Sequence, residues 1–288
     1  MEFPVALALA QAVQTLPTAP GLWYEPKADG HRVALWREED GVRLQARSGR
    51  DVTDVWSDLA RAGMQLEPGT ILDGEAVVYR DGKIDFSAAQ ARAASSPTRA
   101  RLLARQLPAS YAVWDILAHA ELGDVRMRPY VERRALLLEV LEDVGPPIQA
   151  LPTTPDPKTA LLWYEALQDQ GVEGLVIKPG ASVYRTTGRV WQKLRHAETV
   201  DVPVVGYTGP PARPRAIVVQ LPDGRIALSQ ALTAPVAAQV AAYLMAAGPP
   251  GRARTDAGDP YRTAPAGLLV EALAGTTRHA VVTVTRVR

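Results

Sequence analysis

Apolar and polar positions alternate, or gather into β-branched runs, at Trp23 to Lys27, Arg32 to Trp36, Val42 to Ala46, Ile71 to Tyr79 and Ser110 to Leu117. This is the period-two signature of strands. Between them the apolar spacing lengthens to that of helices over Val55 to Met64, Phe86 to Ala94, Val131 to Leu141 and Thr159 to Gln170. Pro129 stands just ahead of the third, where the first turn of a helix tolerates it. Asp40-Gly41 and Asp81-Gly82 separate neighbouring strand patterns and predict hairpins, so the sheet should be mostly antiparallel and the fold class α+β.

The texture changes after about His196, where Gly206 to Arg215 forms a proline-containing, basic, turn-rich loop. We place a domain boundary near Glu198, giving residues 1–198 and 199–288. Beyond it, strands are predicted at Val202 to Tyr207, Ala216 to Leu221, Arg225 to Ser229, Leu268 to Ala274 and Ala280 to Val287, with a helix from Pro235 to Ala246. A helix between the third and fourth strands suits a small Greek-key β-barrel of the OB-fold type. The Pro-, Gly- and Arg-rich stretch from Gly248 to Ala266 reads as a mobile loop.

Composition narrows the chemistry. The 288 residues include no cysteine, which removes disulfides, thiolate nucleophiles and cysteine-built zinc sites, and fits a reducing, cytoplasmic compartment. The apolar run Val5 to Ala10 is too short, and lacks the basic flank, for a signal peptide, and no stretch is long enough to span a bilayer. A net charge of +1 means that any polyanion must meet a local basic patch, for which Arg213 and Arg215 in the turn-rich loop are candidates.

The segment richest in chemistry is Glu25-Pro-Lys27-Ala-Asp29-Gly30-His-Arg32, which sets a lysine at a strand end, just before a turn and an arginine. A lysine attacks only when neutral, so it needs desolvation or a neighbouring cation. Taken alone, the segment reads as a hairpin turn with solvated flanks. Further elements follow in order: Arg47-Ser-Gly-Arg-Asp51, Leu72-Asp-Gly-Glu75, Tyr111-Ala-Val-Trp-Asp115, Glu173-Gly-Leu-Val-Ile-Lys178 and Trp191-Gln-Lys193-Leu-Arg195. Singly these too have bland readings: a turn at Asp73-Gly74, a core indole at Trp114, a solvated strand face at Lys193 and Arg195.

Together, over nearly the whole chain, they resemble the covalent nucleotidyltransferase superfamily and, within it, the ATP-dependent DNA ligases, most of all short two-domain bacterial C-type ligases. The resemblance implies an antiparallel-sheet, ATP-grasp-like nucleotidyltransferase domain followed by an OB-fold domain. It implies that Lys27 forms a phosphoramidate with AMP, that Glu25 recognises adenine and Arg32 holds the ribose, and that Trp114 stacks on the base. Glu75 and Glu173 would ligate Mg²⁺ or Mn²⁺. Lys178, Lys193 and Arg195 would converge on the phosphates of ATP. Arg47, helped by Arg50, would grip the 5′-phosphate of nicked duplex DNA.

Two departures stand out. Lys193-Leu-Arg195 replaces the family's common Lys-x-Lys, and no Arg-x-Asp-Lys motif closes the chain, leaving Arg286 and Arg288 as candidates for contacting pyrophosphate. Lys27 stands close to the first residue, so substrate grip is expected from the two domains or from a partner such as a repair polymerase, with the chain a monomer. An RNA ligase, a capping guanylyltransferase, or a degenerate module that binds nucleotide without sealing share the lysine motif and remain alternatives.

Overall fold

The computed structural model describes residues 1–246, 248–275 and 282–288, with the side chains of 197–199, 273–275, 285 and 286 set aside. It divides into two compact units, Met1–Arg195 and His196–Arg288. The first unit carries strands β1 (Ala10–Ala12), β2 (Leu22–Ala28), β3 (His31–Arg37), β4 (Val42–Ala46), β5 (Ile71–Arg80), β6 (Lys83–Ile84), β7 (Ala109–His119), β8 (Gly123–Asp124), β9 (Ile148–Ala150), β10 (Val172–Pro179) and β11 (Trp191–Arg195). Its helices are α1 (Ser57–Ala62), α2 (Phe86–Ala93), α3 (Pro97–Gln106), α4 (Tyr130–Val140) and α5 (Pro157–Ala166). The fold class is α+β, as the alternation of patterns implied.

Two sheets organise this unit. One has the order β1-β11-β10-β2, the other runs β4-β3-β5-β7-β8 with β6 and β9 attached at its side. Both expected hairpins form, β3 with β4 and β5 with β6, and both are antiparallel. Two short pairings are parallel, β1 with β11 and β7 with β9.

Side-chain alternation gives each sheet two faces. On the larger sheet, Val33, Leu35, Leu44, Leu72, Val78, Tyr111 and Ile116 turn to one side and bury Trp56, Leu59 and Leu137 against it. Each such Leu or Ile contributes roughly 1.5–3 kcal/mol of burial. The opposite face, with Ala34, Trp36, Ile71 and Leu117, packs on Trp191 of the smaller sheet and on Tyr184. Val5, Leu7 and Ala8 complete that second core, which is where the N-terminal apolar run goes.

Several sequence expectations are corrected. The helix expected over Val55 to Met64 shortens to α1 and a 3₁₀ turn at Gly63–Gln65, and that over Thr159 to Gln170 to α5 and a 3₁₀ turn at Gln168–Gln170. Helix α3 has no counterpart in the expected elements. The backbone N–H of Arg99 donates to the hydroxyl of its N-cap Ser96 at 3.5 Å, and Pro97 supplies the first turn.

The second unit carries β12 (Ala197–Thr208), β13 (Ala216–Gln220), β14 (Ile226–Leu228), α6 (Ala234–Met245), β15 (Arg252–Arg254), β16 (Pro260–Thr263), β17 (Leu269–Gly275) and β18 (Val282–Val287). Glu198 lies within β12. The stretch expected as a mobile loop from Gly248 to Ala266 instead holds the antiparallel pair β15 and β16.

Strand β12 pairs with β17 through residues Ala197 to Pro203, then with β13 from Val204 to Thr208. The change of partner coincides with a bulge between Val204 and Gly206, the usual device for bending one strand between two sheets. Val202, Ile217, Val219, Val240, Val270 and Val282 fill the enclosed core. Residues 280 and 281 of the last expected strand lie outside the described residues, as do Arg278 and His279. No helix among the described residues is long and apolar enough to cross a membrane.

Candidate active site

Residues opposite one another across neighbouring strands share a face. Gly174 lies opposite Lys27, Val176 opposite Glu25 and Lys178 opposite Trp23, while Gly174 and Val176 meet Arg195 and Lys193 on the other side. One face of the smaller sheet therefore carries Glu25, Lys27, Lys178, Lys193 and Arg195. The other face buries Tyr24, Leu175, Ile177 and Leu194 with Ala160 of α5. On the larger sheet Arg32 lies opposite Glu75 and Ala34 opposite Asp73, on the face that looks toward Tyr184 and Trp191. Apart from the Arg47 to Asp51 segment, the motif residues thus gather between the two sheets.

At one end of this space the Lys27 ammonium contacts Glu173 Oε2, and Arg195 Nε lies 2.5 Å from Glu173 Oε1. Glu173 reaches this position through a bulge between Val172 and Gly174. Gly174 has φ +147°, and an added Cβ would stand 2.0 Å from the carbonyl oxygen of Leu194, so only glycine fits. Lys193, opposite Val176 on the same face, completes this cation cluster, and desolvation, then the charges of Arg195 and Lys27, pushes it below the ordinary lysine pKa.

Glu75, which lies within reach of the Lys27 charge, accepts through Oε1 from the backbone N–H of Gly30 at 3.2 Å. Gly30 is required there, because a Cβ would meet the Ala76 carbonyl oxygen at 2.3 Å. Desolvation pushes the Glu75 carboxyl up to about 7, with Lys27 and Arg32 pulling the other way.

Arg32 donates to both oxygens of Asp73, at 3.0 and 2.7 Å, and to the carbonyl of Ala8 at 2.6 Å. The Tyr184 hydroxyl donates to Asp73 at 2.7 Å, accepts from Arg32 at 3.3 Å and from the Ala8 N–H at 3.0 Å. Desolvation opposes the Arg32 charge, but Asp73 and Tyr184 outweigh it and hold its pKa above the ordinary value. Arg32 also lies 5.4 Å over the Trp114 ring. Its ribose role, implied by resemblance, meets a guanidinium already committed to protein acceptors.

Lys178 does not join the cations around Glu173. It is fully buried, 2.9 Å from Glu25 Oε2, and donates to Glu25 Oε1 at 3.1 Å and to the Trp114 carbonyl at 3.0 Å. Around it Arg133 pairs with Asp115 at 2.7 Å, both at zero side-chain exposure, and the Tyr130 hydroxyl donates to Glu25 at 2.6 Å. Sequence reasoning missed Tyr130, Arg133, Asp73 and Tyr184. The one available signal was on α4, where Tyr130, Arg133, Arg134 and Leu137 recur at helical spacing and are all buried, putting arginines on the apolar stripe.

The remaining candidates sit elsewhere. Arg47 and Arg50 are exposed on the tight turn after β4, with Gly49 at φ +87°. His31, at the start of β3, accepts from Trp56 Nε1 at 3.0 Å and stacks on its ring at 5.8 Å. Desolvation, then Arg50, pushes His31 down to about 4, so it is neutral. Arg50 also lines an open groove of about 1010 Å³ with Glu38, Asp40, Arg43, Asp51 and Asp54. That groove excludes Lys27, and its carboxylates make it a poor host for a triphosphate.

In the second unit Arg213 and Arg215 are exposed on the turn after β12. Arg288 is bound to Asp201 at 2.8 Å and to Glu271, which leaves it engaged within its own sheet. The side chain of Arg286 lies outside those described.

A lysine, two glutamates and paired cations thus come together between two antiparallel sheets. Comparison with known proteins gives the family: residues 6–195 match the model described as ATP dependent DNA ligase domain, and the chain belongs to that family. It is 37% identical over 205 residues to DNA ligase C2 of Mycolicibacterium smegmatis, a stretch that is 71% of this chain and 57% of that protein. It is 35% identical over 209 residues to DNA ligase C of Mycobacterium tuberculosis, covering 71% and 58%. The matched stretch is thus less than two thirds of either relative. A solved Lig E DNA ligase superposes with a TM-score of 0.62 at 16% identity, over 99% of both chains. That likeness shows the fold: a ligase nucleotidyltransferase unit followed by an OB-fold unit.

Proposed function

We propose that this chain is an ATP-dependent DNA ligase that seals nicks bearing a 3′-hydroxyl and a 5′-phosphate through a lysyl-AMP intermediate. The observation that carries the reading is the clustering of Lys27 with Glu173, Arg195, Lys193 and Glu75 between the two sheets.

In the first step Lys27 Nζ would attack the α-phosphorus of ATP, forming an N–P bond as the bond to pyrophosphate breaks. The attacking amine must be neutral, and Glu173 is the carboxylate in contact with it that can take its proton. Lys193 and Arg195 would hold charge on the phosphoryl oxygens. An oxygen of the DNA 5′-phosphate would then take AMP from the lysine, and the 3′-hydroxyl would displace AMP while losing its own proton. In each transfer the protein contributes alignment and fixed positive charge.

The donor set fits a divalent metal. Glu75 and Glu173 are hard oxygen donors within the electrostatic reach of Lys27, and Mg²⁺ or Mn²⁺ commonly binds one or two carboxylates plus substrate phosphates. When bound, the metal would neutralise phosphate charge. Arg47 and Arg50 fit the 5′-phosphate, and Arg213 with Arg215 fits the duplex backbone. Glu25 and Trp114 fit the base. The two units, divided near residues 195–198, would act as a monomer in the cytoplasm, with a repair polymerase as the natural partner.

The test is incubation with Mg²⁺ and ATP labelled at the α-phosphate, followed by a denaturing gel. Wild type should carry label and Lys27→Ala none. Absence of label on wild type, or equal label on the variant, rejects the reading. Substituting GTP, and then RNA strands at the nick, separates the guanylyltransferase and RNA-ligase alternatives.

A further inference from the structure

The second unit carries a hairpin that its barrel does not need. Strands β12, β13 and β14 pair in succession, β12 pairs with β17 and β17 with β18, and Ser229, just after β14, bridges Val282 of β18. That ring closes without β15 and β16, which form a hairpin between α6 and β17 and join the barrel where β16 pairs with β12.

The hairpin is nevertheless fixed on two sides. Beside β12, Tyr261 packs on the bare backbone of Gly206, where an added Cβ would stand 2.1 Å from the ring. At the tip, the Ile226 N–H of β14 donates to Asp256 Oδ2 at 2.9 Å, and the Asp256 N–H donates to the Ile226 carbonyl at 3.4 Å. The other tip carboxylate, Asp259, accepts from the Thr255 hydroxyl at 3.4 Å, and that hydroxyl accepts from the Asp259 N–H at 3.0 Å.

One face of this hairpin is arginine. Arg252 lies directly opposite Arg262 and Arg254 opposite Pro260, so alternation puts the three arginines on a single side, while Ala253 and Tyr261 take the other. All three are exposed. The ion pairs of this unit among the described residues, Arg225 with Asp223 and Arg288 with Asp201 and Glu271, leave them out. Arg254 donates to the Gly258 carbonyl at 2.7 Å, which orients it without balancing its charge.

Like charges facing each other across a strand pair repel, and the hairpin's own carboxylates are engaged at the tip. The fold therefore holds three cations, roughly 5 Å apart across the pair and 7 Å apart along the strand at their bases, with no counter-charge of its own. A rigid, open, positive face of this kind fits an extended polyanion. Duplex DNA carries one negative charge per about 1.7 Å of axis, and each phosphate neutralised by a cation releases condensed counterions. On its other side Arg262 is paired with Tyr207, one residue before β12 ends and the turn bearing Arg213 and Arg215 begins, so the hairpin continues that basic edge.

We propose that the arginine face of the β15–β16 hairpin docks on the sugar-phosphate backbone of duplex DNA, with Arg252, Arg254 and Arg262 neutralising phosphates. The proposal rests on the reading of nicked duplex as the substrate. Phosphates recur at every step of the duplex, so this surface supplies grip and not recognition of the break.

The experiment measures binding of nicked and intact duplexes of one length by fluorescence anisotropy at stepped salt. Wild type is compared with Arg252→Gln/Arg254→Gln/Arg262→Gln and with the corresponding triple lysine variant. The glutamine variant should lower the slope of log affinity against log salt by about 0.9 for each phosphate released, hence by about 2–3, and weaken binding of both duplexes by roughly tenfold or more at low salt. Lysine should restore the slope, because the contact is with charge. An unchanged slope, or a lysine variant as weak as the glutamine one, overturns the proposal.

Wild type alone decides if the glutamine variant does not fold. Phenylglyoxal, which modifies accessible arginines, is applied with and without intact duplex, and the modified peptides are read by mass. Duplex should protect all three positions. Reactivity that duplex leaves unchanged overturns the proposal, as does protection by polyglutamate and not by duplex, which would assign the face to an acidic protein. Protection by duplex in a wild type that takes no label from ATP would reject the ligase reading and leave the hairpin assignment standing.

Discussion

Glu25 and Lys27 are two positions apart on β2 and face the same way, yet the charges around them are organised differently. Around Glu25, positive and negative groups balance and are buried: Lys178 with Glu25, Arg133 with Asp115, and the Tyr130 hydroxyl between them. Around Lys27, Arg195 and Lys193 add positive charge beside Glu173 and Glu75, and the Lys27 and Arg195 side chains are 21% and 40% exposed. A balanced, dry network keeps a fixed shape and suits recognition of an uncharged ring. A half-open cluster with excess positive charge is incomplete until an anion arrives, which suits a polyphosphate.

The contrast is broken most forcefully at its buried end. Asp115→Ala leaves Arg133 without its carboxylate at zero exposure, and should cost about 3–5 kcal/mol in chemical denaturation. Arg195→Ala, at the open end, should cost no more than about 1 kcal/mol. Equal losses would mean that the two ends are not different in kind.

Activity should rank them in the opposite order. Lys193→Ala is expected to slow lysyl-AMP formation roughly a hundredfold while leaving the unfolding midpoint in place. A variant that melts earlier but labels normally would reassign Lys193 to structure.

Glu75 gives an effect with a definite pH signature. Its folded-state pKa of about 7 lies above the ordinary value of 4.5, so the folded protein holds this proton more tightly than the unfolded chain. The resulting stabilisation is complete below about pH 4.5 and disappears as pH rises through 7. Glu75→Gln should therefore remove a decline of about 3 kcal/mol across that window, read from thermal melts at stepped pH. If wild type and variant melt in parallel from pH 4.5 to 8, the carboxylate is not desolvated as described.

The smallest effect is expected in the second unit. Replacing Arg213 and Arg215 by alanine should lower the slope of log affinity for nicked duplex against log salt by about 0.9 for each phosphate no longer neutralised. An unchanged slope would leave these arginines as a solvated turn.

Legibility in the sequence followed the range of the forces involved. Strands β2 to β5 and β7 were readable because alternation is a local signal, and the hairpins because Asp-Gly is a local turn former. The Lys27 cluster was readable as a set because its members fall in short motifs. Its internal wiring was not. Lys178 and Lys193 look alike in sequence, and only the register of β10 against β2 and β11 puts one beside Glu25 and the other near Lys27.

Arg32 is similar. Nothing local reveals that Asp73, 41 positions away, and Tyr184, 152 positions away, take its hydrogen bonds. The β15–β16 pair was hidden because Gly, Pro and Arg are poor strand formers, and main-chain pairing to β12 overrides that tendency.

The segment Val5 to Ala8 has a practical bearing on how the protein is handled at the bench. Val5 exchanges two hydrogen bonds with the Gln45 side chain, and Ala8 links Tyr184 to Arg32 through its N–H and carbonyl. A purification handle on this side needs a spacer ahead of Pro4, and a trimmed version beginning after Ala8 would strip two partners from the Arg32–Tyr184 couple. Preparations differing only in how they start are expected to differ in turnover, although Lys27 is untouched.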